Sequence, residues 1–365
     1  VSSSDIINSK KRVLYSVCGE GLGHGIRSGV IIKELLKKYD VWVFSSDRAY
    51  KYLSSKFDNV YEIGGFNTVY QDNRVSNRKT LYQAIKDTPS NLRESYGILY
   101  KKAKEFKPNI IITDFENYAN SLGKIIDIPV LSVDNIHMIT KTRIDYPEDS
   151  RREMLKAKGV IKSYLIRPKR YILTSFFKAE IKNPEIAVLY PPVIREEIMK
   201  IKPSYKDHIL VYQTSKTDTL LFDVLKELDE KFIVYGFNED KIDGNLTFRK
   251  FNENKIYDEL SSSKAVICNG GFSFISEAFY LKKPIFSMPV RGQFEQLLNG
   301  YYVEKLNYGM MSRDTDHNKL KEKINKFLNN LKQYQETLKT VENTDNSGII
   351  KEIENSIERF AVKNN

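Results

Sequence analysis

Apolar residues in this chain fall into two alternating patterns. Short branched runs, Arg12-Val13-Leu14-Tyr15-Ser16-Val17, Asn109-Ile110-Ile111-Ile112-Thr113 and Pro129-Val130-Leu131-Ser132-Val133, have the length and make-up of buried parallel strands. After the first of them Ile26, Val30, Ile31, Leu35 and Leu36 recur at helical intervals. This alternation runs from Val13 to about Tyr190 and restarts at His208-Ile209-Leu210-Val211-Tyr212. Ala265-Val266-Ile267-Cys268 reads as another buried strand, Phe272 to Leu281 as a helix stopped by Lys282-Lys283-Pro284, Ile285 to Met288 as a short strand, and Gln293 as the start of a further helix. From Leu320 to Phe360 the Lys, Glu and Asn content predicts charged helices with a break near Asn343 to Gly348. Strands alternating with helices predict an α/β fold on parallel sheets. A chain of 365 residues exceeds what one core organises, so two domains are expected. The paired prolines in Leu189-Tyr190-Pro191-Pro192-Val193-Ile194-Arg195 resist helix and sheet and suit a linker. The expected division is residues 1–190, a linker at 191–200, a second domain at 201–340 and a terminal helix at 341–365.

Two glycine-rich turns carry the candidate chemistry. Gly270 and Gly271 fall between a strand and a helix, where missing Cβ atoms let a ligand approach the backbone and the helix start offers N–H groups to a diphosphate. Asn269 precedes them and Ser273 can add a hydroxyl. Glu277 lies four positions after Ser273 on the same helical face, placed to accept from a vicinal diol such as a ribose. Glu295 and Gln296 open the next helix with groups suited to sugar hydroxyls. A lone Gly-Gly is also simply a turn; the ordered series is what points to a site. Nearer the start, Cys18-Gly19-Glu20-Gly21-Leu22-Gly23-His24-Gly25 follows the first strand and departs from the dinucleotide fingerprint. His24 is either a capping residue or a base, since imidazole titrates near neutrality. Asp114 ends its strand where ligands collect in open α/β sheets. Asp114 and Glu116 either orient and charge-stabilise His24 or bind acceptor hydroxyls directly, and Asp114 reads equally as the cap of the helix from Tyr118 to Ile126. His137 is a second-choice base.

The series Asn269-Gly270-Gly271-Phe272-Ser273-Phe274-Ile275-Ser276-Glu277-Ala278, then Lys283-Pro284, Pro289, Glu295-Gln296-Leu297-Leu298-Asn299-Gly300 and Gly309, resembles the donor-binding half of GT-B glycosyltransferases of the UDP-sugar families, family 28 and the UDP-glucuronosyltransferase-like enzymes. The turn Gly19 to His24 resembles the first glycine loop of the same families, and Gln213-Thr214-Ser215-Lys216-Thr217 a phosphate-side loop. The resemblance implies two facing Rossmann-like domains, an acceptor side at 1–190 and a nucleotide-sugar donor side at 201–340, with a C-terminal helix crossing back to the first. It assigns Glu277 to the ribose, Glu295 and Gln296 to the donor sugar, Thr214, Ser215, Asn269, Gly270, Gly271 and Ser273 to the donor site, and Gly21, Gly23 and Glu116 to the acceptor or diphosphate loops. It implies transfer from a UDP-sugar to a hydroxyl without metal or cofactor, His24 and Asp114 being catalytic. The Glu-x7-Glu of retaining families is absent, since counting from Glu277 reaches Ile285, and inversion is expected. Two positions depart: Glu295 stands where many members carry Asp or Gln, and Gly300 where Ala is usual. A UDP-N-acetylglucosamine 2-epimerase-like enzyme shares the scaffold, and a non-enzymatic nucleotide-sugar or nucleic-acid-binding protein is the third reading.

Composition narrows these options. Two cysteines, Cys18 and Cys268, make no disulfide framework, which points to a reducing, cytoplasmic setting. The four histidines are far apart and no metal-ligand spacing occurs; Asp314-Thr315-Asp316 reads as a helix cap before Leu320. No apolar run approaches the about 20 residues of a membrane span, and residues 1–10 are too polar for a signal peptide. The net charge of +11 is concentrated in residues 151–170, which carry Arg151, Arg152, Lys156, Lys158, Lys162, Arg167, Lys169 and Arg170 against Glu153. With Met154, Leu155, Val160, Ile161, Tyr164, Leu165 and Ile166 interspersed, this stretch either meets an anionic inner membrane face and a lipid-linked acceptor or packs on its own domain. Nucleic acid is not expected, because no recognised motif accompanies the charge.

Overall fold

The computed structural model describes residues 10–64, 70–71, 74–75, 95–163, 167–213 and 219–362. Thr214, Ser215, most of the stretch Gly64 to Tyr100 and Tyr164 to Ile166 lie outside the described residues. The first sheet contains β1 (Arg12–Val17), β2 (Asp40–Ser45), β3 (Val60–Glu62), β4 (Ile110–Asp114), β5 (Val130–Asp134), β6 (Arg170–Thr174) and β7 (Ala187–Tyr190), in the order β7-β6-β5-β4-β1-β2-β3. Every pairing in it is parallel. The second contains β8 (Ile209–Tyr212), β9 (Phe232–Tyr235), β10 (Lys241–Asp243), β11 (Leu246–Phe248), β12 (Ala265–Cys268), β13 (Ile285–Ser287) and β14 (Gly309–Met311), in the order β10-β11-β9-β8-β12-β13-β14. It is parallel except for the antiparallel edge strand β10. Each sheet reverses its order beside its first long strand, so the carboxyl ends of β1 and β4, and of β8 and β12, flank a switch point where ligands bind in such folds.

The helices that place the site are α1 (Leu22–Leu35), α2 (Asp47–Ser54), α3 (Asn117–Ile125), α4 (Arg151–Ser163), α5 (Glu253–Ser262), α6 (Phe272–Tyr280), α7 (Phe294–Lys305), α8 (His317–Asn329), α9 (Leu331–Lys339) and α10 (Ser347–Phe360). Burial follows the predicted strand run from Val13 to Val17, but the predicted face of α1 only in part, Ile31 and Leu35 being buried and Ile26 and Val30 half-buried. Val13, Leu14, Tyr15 and Val17 are wholly buried, as are Ile32 and Leu35 on α1, while Leu36 ends that helix at the surface. The charged C-terminal stretch breaks as expected between Lys339 and Ser347 and once more at Asn330. Asp316 caps α8 by accepting from the Lys319 N–H at 3.0 Å. Beyond the break, α10 lays Ile349, Ile350, Ile353 and Ile357 against Val13, Ile31, Ile110 and Ile172 of the first sheet and its helix, so the chain ends on the domain it began with. Asn346 fastens this return to the connection between the sheets, accepting from Ile194 N–H at 3.0 Å and donating to its carbonyl at 2.7 Å.

One apolar cluster belongs to both halves. Phe176 and Phe177, just after β6, pack with Phe272 of α6 and Tyr302 of α7, the rings of Phe177 and Tyr302 lying parallel. The two halves therefore meet over an apolar floor, and the polar groups described below line the rest of their junction. Gly300 has a local reason to differ from alanine: a Cβ there would stand 2.9 Å from both Met311 Sδ and Ser287 Oγ. On α4, Met154 and Ile161 are buried whereas Leu155 and Val160 are each 55% exposed. No helix among the described residues is long and apolar enough to cross a membrane.

Candidate functional site

The strand β1 delivers the chain into a tight turn against β2, where a Cβ on Gly19 would lie 2.0 Å from Ser46 Oγ. Gly21 has φ 85°, which lets α1 start immediately afterwards and puts His24 in its first turn. His24 Nδ1 is 2.9 Å from Asp114 Oδ1, at the carboxyl end of β4. Asp114 is fully buried and also receives Arg27 Nε at 2.6 Å, Arg27 Nη2, and Ser28 Oγ at 2.9 Å. Burial alone would raise the pKa of this carboxyl; the Arg27 charge, with His24, holds it well below the usual range. Nε2 of His24 has no hydrogen-bond partner among the described residues, and the side chain is 14% exposed, so that nitrogen is the one available to a ligand.

The cap of α3 is Glu116, not Asp114. Its carboxylate accepts from the N–H groups of Tyr118 and Ala119, both at 2.8 Å, and from Ser16 Oγ at 2.8 Å. Burial leaves its pKa raised despite those donors. Two carboxylates two residues apart thus separate cleanly: Asp114 faces His24, and Glu116 is occupied by its own helix. His137, the second-choice base, is buried against Asp134, with Nδ1 2.8 Å from Oδ2 and its N–H 2.8 Å from Oδ1. Among the described residues the two free cysteines, Cys18 and Cys268, both lie by the ends of central strands.

On the second sheet, β12 ends at Cys268 and Gly270 takes φ 106°. A Cβ at Gly270 would meet the Gln296 carbonyl at 2.8 Å, and Asn299 Nδ2 donates to the Gly270 carbonyl at 3.0 Å, so α7 clamps this turn. Gly271 opens α6 as its N-cap and, being glycine, brings no side chain to cap that helix start. Its first turn points at the other half: Ser273 Oγ donates to the Gly23 carbonyl at 3.1 Å. Gln296 Oε1 accepts from Val290 N–H at 3.0 Å, bracing the loop before α7, while Glu295 Oε1 accepts from Asn135 Nδ2 at 2.8 Å across the junction. The structure therefore brings His24, Asp114, Gly23, Ser273 and Glu295 to one seam.

Glu277 is placed differently from what its helical position suggests. It is 4% exposed, and both its oxygens are gripped by Arg195, Nε to Oε1 and Nη2 to Oε2, each at 2.6 Å. Arg195 also reaches Glu253 Oε1 at 3.1 Å and lies 4.4 Å over the ring of Tyr257. Burial would lower the Arg195 pKa, but Glu277 more than offsets it and the guanidinium stays charged. Sequence reasoning missed three side chains: Arg27, Asn135 and Arg195. Arg27 carried a weak signal, a long cation among Gly25, Ser28 and Gly29 on a helix that buries all four. Asn135 and Arg195 carried none, because their partners are 160 and 82 residues away.

Known proteins agree with this architecture. The glycosyl transferase family 1 profile matches residues 11–332. An uncharacterized glycosyltransferase of Methanosarcina mazei is 25% identical over 382 residues, covering 91% of this chain and 93% of its own. Among solved structures, Phytolacca americana UGT2, complexed with UDP-2-fluoro-glucose and pterostilbene, superposes with a TM-score of 0.64 at 12% identity, covering 95% of this chain and 99% of its own. The spinosyn rhamnosyltransferase SpnG does so with a TM-score of 0.62 at 13% identity, covering 94% of this chain and 100% of its own. With a profile spanning most of its length over two parallel-sheet halves, the chain belongs to glycosyl transferase family 1 and is a glycosyltransferase of the GT-B type.

Proposed function

We propose that the protein is an inverting glycosyltransferase that moves a sugar from a UDP-sugar to an acceptor hydroxyl without a bound metal. The observation that carries this reading is the seam at Ser273 and Gly23, which sets the His24–Asp114 pair opposite a helix start led by Gly270 and Gly271. A diphosphate at the first turn of α6 would meet backbone N–H groups and the positive end of the helix, aided by the 214–215 loop. The acceptor oxygen attacks the anomeric carbon from the face opposite the diphosphate and the sugar–phosphate bond breaks. Its electron pair leaves on the phosphate oxygen, and the acceptor's proton passes to His24 Nε2. Asp114 steadies the ring through Nδ1, while the amides around Gly270 and Gly271 stabilise the charge growing on the departing diphosphate.

Glu277 is the proposed ribose contact. Each carboxylate oxygen has a second lone pair, so the grip of Arg195 orients Glu277 and leaves it able to accept from a diol. Glu295 Oε2 and Gln296 are the proposed sugar contacts. Movement about residues 191–192 admits donor and acceptor and then excludes water. The exposed Leu155 and Val160 on basic α4 favour a lipid-linked acceptor met at the cytoplasmic membrane face. Charge reversal at Lys158, Lys162 and Lys169 then abolishes liposome binding; no binding by the intact protein removes that part of the reading.

The deciding experiment is incubation with UDP-, GDP- and TDP-sugars. Thermal shift identifies the donor, and chromatography separates free UDP, a 2-epimer and unchanged ligand. Release of UDP only with an acceptor present supports transfer; a 2-epimer or binding without change overturns it.

A further inference from the structure

His24 Nδ1 has two neighbours that make opposite demands on it. Asp114 Oδ1, at 2.9 Å, calls for a protonated Nδ1 that donates; Arg27 Nη2, at 2.8 Å, calls for a bare Nδ1 that accepts. One nitrogen serves one of them at a time. With the proton on Nδ1, Nε2 has the lone pair a base needs; with Nδ1 bare, Nε2 carries the proton and can only donate. The choice turns on how the Arg27 guanidinium is held. Its Nε donates to Asp114 Oδ2 at 2.6 Å and its Nη1 to Asn135 Oδ1, while Asn135 Nδ2 donates to Glu295 Oε1 at 2.8 Å in the other half. Asp114, Arg27 and Asn135 are 0%, 4% and 6% exposed, so these partners and not water fix the arrangement.

We propose that Arg27 and Asn135 are positioning residues, and that the line Glu295–Asn135–Arg27 lets the donor half decide which nitrogen of His24 carries the proton. The inference rests on His24 being the base of the proposed transfer. With Asn135 tied to Glu295, Nη1 is anchored and Nη2, which gives one hydrogen to Asp114 Oδ1, presses the other against Nδ1, so the resting ring holds its proton on Nε2. A donor hydroxyl that recruits the Glu295 carboxylate frees the Asn135 amide. Arg27 keeps its two bonds to Asp114 while Nη2 turns its other hydrogen off Nδ1; Nε2 gives up its proton to solvent, Nδ1 takes one up and donates it to Oδ1, and Nε2 becomes the base. The base is armed only when a donor is in place.

Histidine-selective ¹⁵N NMR tests this without knowledge of the acceptor. The chain has four histidines, and the His24 signal is the one lost in His24→Ala. At about pH 8, above the ordinary imidazole range, the free protein should show His24 with its proton on Nε2. Asn135→Ala should move the tautomer ratio toward Nδ1–H at least about fivefold, a change of roughly 1 kcal/mol. Asn135→Asp alone sets two carboxylates face to face and should behave similarly. Asn135→Asp combined with Glu295→Gln reverses donor and acceptor and should restore the wild-type spectrum, a rescue that loosened packing would not give. An identical His24 spectrum in wild type and Asn135→Ala overturns the proposal. So does a double variant that fails to restore the ratio while retaining the wild-type melting temperature. A spectrum that responds as expected in a protein that turns over no nucleotide-sugar upholds the line and removes the transfer reading; turnover with an unresponsive spectrum does the reverse.

Discussion

Replacing Arg195 with Leu removes the cation that holds Glu277. The two side chains are 8% and 5% exposed and joined by two bonds of 2.6 Å, so the carboxylate left behind has little water to turn to. Losing one partner of such a buried pair costs about 3–5 kcal/mol. At roughly 2–4 °C per kcal/mol, the value for domains of comparable size, the melting temperature should fall by on the order of 6–20 °C. Removing both charges with Arg195→Leu and Glu277→Leu leaves no stranded carboxylate and should recover all but about 1–2 kcal/mol. Glu253, the third partner, is 32% exposed and bonded to Tyr257 at 2.6 Å, so it keeps hydration and a partner in both variants. Differential scanning calorimetry of the two single variants and the double variant gives the coupling directly. A single Arg195→Leu within about 0.5 kcal/mol of wild type, the usual effect of a surface change, would show that Glu277 does not depend on this cation. A double variant destabilised by the sum of the two single losses would show the same.

Other expectations follow from the same contacts. His24→Ala should lower kcat at least about a hundredfold in a steady-state transfer assay. Gly309→Ala should destabilise by on the order of 3 kcal/mol in chemical denaturation, because its Cβ would lie 1.8 Å from the Ile285 carbonyl of the paired strand, a backbone atom that cannot step aside. Glu116→Ala should cost about 1 kcal/mol as a lost helix cap with turnover per folded molecule near wild type, since its carboxylate serves α3 and Ser16. Asp114 has a folded-state pKa below its unfolded one, so its contribution to stability is present above about pH 4 and is lost as pH falls toward the depressed value. Acid unfolding followed by circular dichroism should therefore be shallower in Asp114→Asn.

The strands and the helix faces were legible because each is a local pattern: the runs Val13 to Val17 and Ala265 to Cys268 are buried at every position, and no distant residue is needed to say so. His24 and Asp114 were legible as a pair for a topological reason. Asp114 ends β4 and His24 lies in the first turn of the helix that follows the adjacent parallel strand β1, both on the carboxyl side of the sheet where the fold brings ligands. The cap of α3 was harder: the sequence leaves Asp114 between site carboxylate and cap and marks Glu116 as a site carboxylate, and only the directions of the two side chains give the cap to Glu116. Glu277 looked open from its helical position; what fills its two oxygens is a guanidinium from the connection between the sheets, and nothing periodic marks that connection. The same holds for Asn135 and Glu295, whose bond exists only because the two halves face each other.

All of the proposed chemistry requires a nucleoside diphosphate at the glycine-led start of α6, with its ribose at Glu277. A crystal structure of the protein with UDP decides whether one binds there. Phosphate oxygens should lie within hydrogen-bond reach of the backbone N–H groups at 271–273, with the ribose hydroxyls on the Glu277 carboxylate. Nucleotide density elsewhere in the protein, with that turn empty, would overturn the assignment of the donor site.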